Sequence, residues 1–163
     1  MSMRGVRRWS GLLCAIAVVS IAGCSGSAPT MGEAPQRELQ DYAQQLVSDA
    51  VDHFDEHGLD ATIEHYDDPG RADGPWYVFV LEDRDGALYT VANPARPEFV
   101  GTTRDRIDPT GYDYGEAFAA VTEGSGGAWV SYVFTHPVTG ADAPKHSWVV
   151  RRGDVLFGAG WYE

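Results

Sequence analysis

Lysine is nearly absent from this chain, which has one, Lys145, against 11 arginines. Cysteine is scarce too. Its two residues, Cys14 and Cys24, both fall in the first 24 positions. With the leader gone and Cys24 modified, no thiol remains, which excludes disulfides, cysteine metal sites and a cysteine nucleophile. Positive charge is short overall, with 12 Lys+Arg against 24 Asp+Glu and a net charge of -12 at pH 7. The leader carries three of those arginines, Arg4, Arg7 and Arg8, and no acid, so the remainder is more acidic still. Such a domain is repelled by nucleic acid and by anionic lipid. No apolar run reaches the ~20 residues of a membrane span. No Gly-x-Ser-x-Gly elbow or phosphate loop is present. The 44% hydrophobic and 12% aromatic content argues against disorder, and the length after the leader fits one domain with a real core.

What is present begins with an address. Three arginines precede an apolar stretch from Gly11 to Ala22, which leads into Ile21-Ala22-Gly23-Cys24. Small residues before a cysteine resemble the lipobox of bacterial lipoproteins. Residues 1–23 are then a removed signal peptide and Cys24 the lipidated N-terminus, a membrane anchor. The competing reading is an ordinary secretory signal with a chance cysteine, or an uncleaved anchor. Arg7-Arg8 leaves general and twin-arginine export both open. Residues 24–35, rich in Ser, Gly and Pro, are expected to form a flexible tether.

Residues 36–163 are expected to form one domain. Leu39, Tyr42, Ala43, Leu46, Val47, Ala50, Val51 and Phe54 recur three and four apart, predicting a long helix over 33–57. Gly58 stands at its C-cap, and Asp60 can cap a second, shorter helix over 61–66. Strands follow over 76–81 and 87–92, joined by Asp85-Gly86, a hairpin signal. Residues 99–107 are ambiguous and 114–123 read as a helix. Three more strands are expected over 128–134, 146–151 and 155–161. Helices segregated from antiparallel strands mean α+β.

The chain resembles a single Cache domain, an extracytoplasmic PAS-like sensory module. Trp76-Tyr-Val-Phe-Val, Asp85-Gly86, Phe99-Val100-Gly101, Asp108-Pro-Thr-Gly111 and the final three-strand meander carry the resemblance, which spans about residues 36–162. Two loops depart from the family pattern. Asn93-Pro94 stands where His-Pro is frequent, and Phe134-Thr-His136-Pro137 where an aromatic and Asn-Pro are. The resemblance implies a long N-terminal helix packed on a PAS-like antiparallel sheet of about five strands. It also implies a small-molecule pocket and no catalysis. The ligand expected first is a small organic carboxylate, sensed through a membrane sensor or envelope protein as partner. The alternative is an interaction lipoprotein whose pocket is filled by its own aromatics.

Lys145 matches the family's lysine at the start of the fourth strand, and a lone cation in an acidic domain suits a ligand carboxylate. Tyr77, Trp129, Tyr132 and Trp148 join it as expected ligand-binding residues, since buried Tyr and Trp need polar partners. Strand parity puts Tyr132 on the face opposite Trp129 without saying which face holds the pocket. His53 and His57 share helical spacing, but no third ligand follows, so they read as boundary histidines. Glu82-Asp83-Arg84-Asp85-Gly86 lacks the EF-hand glutamate, since position 92 is Ala. Neither a cofactor nor a metal is expected.

Overall fold

The computed structural model describes residues 27–163. The expected leader and the expected lipidation site at Cys24 lie outside the described residues.

Helix α1 spans Gln36–Tyr66 and buries Leu39, Ala43, Val47, Ala50 and Val51, the expected stripe. It is two helical segments joined at a kink at Gly58, whose φ of 80° and ψ of 179° suit only glycine. The Gly58 carbonyl, at the break, accepts a side-chain hydrogen bond. Fully buried Thr62 donates its hydroxyl proton to that carbonyl at 2.7 Å and accepts from His53 Nδ1 at 3.2 Å. His53 therefore carries its proton on Nδ1. Its ring touches those of His57 and His65, with centroids 4.6 and 4.5 Å away. Among the described residues no group of three His, Cys, Asp or Glu is placed to hold a metal ion.

Five antiparallel strands form one sheet: β1 (Val78–Arg84), β2 (Ala87–Ala92), β3 (Ala128–Thr135), β4 (Asp142–Arg152) and β5 (Val155–Tyr162). Their spatial order is β2-β1-β5-β4-β3. Asp85 and Gly86 both take positive φ, 55° and 87°, as a two-residue hairpin turn demands. Central β5 is buried along its whole length.

The two sheet faces do different things. Val78, Val80, Phe157 and Ala159 meet Val47, Ala50 and Val51 of α1. Tyr77, Phe79, Leu81, Tyr132, Val149 and Leu156 point the other way, toward Tyr114 and Phe118 of the short helix α2 (Tyr114–Ala119). Asp113 caps α2 by accepting from the Glu116 amide at 2.8 Å. This helix stops four residues before the expected end, and the ambiguous stretch before it is an irregular crossover. Strand β4 starts at Asp142, four residues earlier than expected, because its first residues pair with the end of β3.

The expected tether is not free over its last part. Ala28, Met31 and Ala34 pack against Leu39, Trp76 and Trp161. Trp76 Nε1 donates to the Pro29 carbonyl at 3.0 Å. A few apolar residues in a Ser/Gly/Pro stretch suffice to dock it on indole rings.

Gly158 sits on the α2-side face of β5, where a Cβ would come within 2.1 Å of the Phe79 ring. That ring is itself held against Phe118, with centroids 5.6 Å apart, so it cannot step aside cheaply. Gly158→Ala is therefore expected to cost ~1–3 kcal/mol of stability by overpacking, read as a lower urea midpoint with unchanged slope. A neutral outcome would mean that the Phe79 ring can relocate.

Candidate ligand-binding site

Three strands place one polar row on the α2-side face. Tyr132 of β3, Lys145 of β4 and Tyr162 of β5 are direct cross-strand partners. Tyr77, just before β1, completes the group. Lys145 is 1% exposed. Its Nζ donates to Tyr77 Oη at 2.7 Å and lies 4.3 Å from the centre of that ring. The rings of Tyr162, Phe134 and Phe79 surround it at 5.0, 5.3 and 5.4 Å. Tyr77 Oη also bonds Tyr162 Oη at 3.2 Å, and Tyr132 Oη bonds Ser147 Oγ at 3.1 Å.

No acid stands opposite this ammonium: among the described residues Lys145 forms no ion pair. Cation–π contact contributes about 0.5–2 kcal/mol, whereas moving an ammonium out of water costs several. The imbalance pushes the lysine well below its ordinary pKa, first through burial and then through the charges of Arg96 and Arg104. Burial pushes the Tyr77, Tyr132 and Tyr162 hydroxyls upward, so all three keep their protons and can donate.

The crossover adds more cations. Arg104 lies over the Phe99 ring at 4.1 Å and donates to Tyr114 Oη. Arg106 is 7% exposed and donates to the Leu88 carbonyl at 2.8 Å and to Thr90 Oγ1 at 3.1 Å. Arg96 donates to the Thr135 carbonyl at 3.1 Å, while its buried Nε has no partner. The nearby acid Asp108 is already committed. Its Oδ1 accepts from Thr110 and Tyr112, and its Oδ2 from the Val133 amide at 2.9 Å. These bonds, the Thr110 hydroxyl's first, lower its pKa to about 2. Asp108 thus pins the crossover to the edge of β3 rather than neutralising an arginine.

Between these groups lies a cavity of ≈ 30 Å³. That is room for about two or three waters, or for the head of a carboxylate. Lys145, Arg104, Arg106, Asn93 and Tyr132 line it, and no Asp or Glu does.

Of the residues expected from sequence, the structure brings together Tyr77, Tyr132 and Lys145. Trp129 and Trp148 do not line this cavity. They pair with each other across β3 and β4 on the α1 side, ring centroids 5.1 Å apart, beside Trp161. Parity had already separated Trp129 from Tyr132; the position of α1 decides which face keeps the cavity. Sequence reasoning missed Arg104, Arg106 and Asn93. Arg104 and Arg106 alternate in an extended segment of a cation-poor chain, and that spacing was the available signal.

Lys145→Met removes a buried amine without changing the volume much. Ligand-free stability near neutral pH is expected to rise by ~1–3 kcal/mol. The folded pKa of Lys145 lies below the unfolded value, so the unfolded chain binds more protons between the two. Stability due to this residue therefore increases as pH rises through that window, up to the ordinary lysine value of about 10.4. Urea unfolding of both proteins across that range is expected to show the gap between them narrowing. A destabilised variant, or a constant gap, contradicts this account.

No protein-family model matches the sequence, and no curated protein matches it. Solved structures do. A methyl-accepting chemotaxis protein from Vibrio parahaemolyticus aligns with a TM-score of 0.60 at 18% identity, over 77% of this chain and 86% of that one. The periplasmic sensor domain of a chemotaxis protein aligns at 0.57 and 23% identity, over 77% and 91%. A Cache chemosensory domain described for carboxylic acid recognition aligns at 0.55 and 17% identity, over 75% and 86%. The long helix on a five-stranded antiparallel sheet is thus a Cache-like α+β fold, as the sequence led us to expect.

Proposed function

We propose that this domain captures a small organic carboxylate outside the cytoplasm and reports it to a partner protein, with lipid on Cys24 as its membrane anchor. It acts by binding and does not catalyse. The observation that carries the reading is electrostatic. In a chain with twice as many acids as bases, the cavity lining holds Lys145, Arg104 and Arg106 and no acid at all. Protonated Tyr77 and Tyr132 add neutral donors. A carboxylate entering here would meet a preformed set of donors in a low-dielectric site, where charge-assisted hydrogen bonds are strong. The solved structures of the same fold include chemotaxis sensors, and one is described for carboxylic acid recognition.

Binding would also move a proton. Free Lys145 has a depressed pKa, and a bound anion raises it. Between the two values, binding takes up a proton and affinity falls as pH rises, by up to about tenfold per unit.

The alternative is an interaction lipoprotein with a self-filled pocket. It draws on the small cavity and on the Tyr114–Tyr132 stack, with centroids 4.2 Å apart. Titration calorimetry of residues 28–163 against acetate, propionate and pyruvate separates the two. Saturable binding that weakens with rising pH is expected, with Lys145→Ala reducing affinity by ~1.5–3 kcal/mol. Heats absent for every small anion, in a domain that melts cooperatively, would favour the alternative.

A further inference from the structure

Asn93 is the one polar group at the cavity whose chemistry the carboxylate reading leaves unused. It follows β2 directly and is 7% exposed. Its backbone is held from two sides. The amide donates to Asp67 Oδ1 at 3.3 Å, and the carbonyl accepts from the Arg96 amide at 3.1 Å. The side chain is therefore delivered to the cavity wall by a fixed backbone. Yet its Oδ1 is buried with no hydrogen-bond partner. Buried amide oxygens are rarely left so, because the lost hydration is not replaced.

The other acceptors around the cavity are occupied. Thr90 Oγ1 receives Arg106, Tyr77 Oη receives Lys145, and Tyr114 Oη receives Arg104. Asn93 Oδ1 is the acceptor left over in a lining otherwise rich in donors. An anion alone would satisfy the cations and leave this oxygen stranded. A ligand that satisfies both carries a carboxylate and a hydrogen-bond donor a few bonds away. An ammonium fits poorly as that donor, since three cations line the cavity and no carboxylate does. A neutral hydroxyl fits.

We propose that the ligand is a small hydroxycarboxylate, with its carboxylate on Lys145 and Arg104 and its hydroxyl donating to Asn93 Oδ1. The assignment rests on the carboxylate reading above and adds its specificity. Asn93 is then a discriminating residue: it separates hydroxy acids from plain acids of the same length, and zwitterionic amino acids are turned away by the surplus of positive charge.

The test is a paired comparison by titration calorimetry of the domain, glycolate against acetate and lactate against propionate, with alanine as a fifth probe. Each hydroxy acid should bind about tenfold tighter than its partner, and alanine should not compete. Asn93→Leu should bring each pair to equal affinity. Equal affinities within the pairs in the unaltered domain would overturn the proposal, as would a preference that survives Asn93→Leu. If Asn93→Leu does not fold, the pairwise ratios of the unaltered domain decide. Acetate and propionate binding without a hydroxyl preference would sink this proposal alone, whereas no binding by any of the acids would remove the carboxylate reading with it.

Discussion

A lysine ammonium without a carboxylate governs this domain. Lys145 lies under four aromatic rings, with one hydrogen bond to a tyrosine and two arginines pushing on its charge. Left alone, such a group loses its proton or lowers stability. The fold nonetheless holds it in the centre of the α2-side face. Function is the natural place for such a cost, since an anion that enters supplies what the protein withholds.

The rest of the architecture makes that cost sustainable. Helix α1 covers the opposite sheet face with a largely apolar seam, on the side away from the cavity. Gly158 gives Phe79 a place to lie flat on β5. Asp108 ties the crossover to β3 through Oδ2 and holds the crossover's own turn through Oδ1. That tie fixes the segment from which Arg104 and Arg106 reach inward. Asp108 is thereby spent on loop geometry, and no acid lines the cavity.

Much of this was legible in the residues. The α1 stripe, the Asp85-Gly86 hairpin and the final meander follow from periodicity and turn chemistry, and alternation placed Tyr132 and Trp129 on opposite faces of the sheet. The choice between faces was not legible. Trp129 and Trp148 are as aromatic as Tyr77 and Tyr132, and only the docking of α1 turns their face into core. Arg104 and Arg106 alternate in an irregular crossover and Asn93 follows β2, and in neither place does an apolar pattern tell which way the side chains face. Docking of residues 28–34 depends on Trp76 and Trp161, far away in the chain.

The scarcity noted at the outset supplies the most direct experiment. Because Lys145 is the only lysine, isotope-labelled lysine gives a single side-chain signal in an NMR pH titration. The account predicts a midpoint well below that of an ordinary lysine in the free domain, and an upward shift when a bound carboxylate is present. A midpoint at the ordinary value, unmoved by saturating carboxylate, would contradict it.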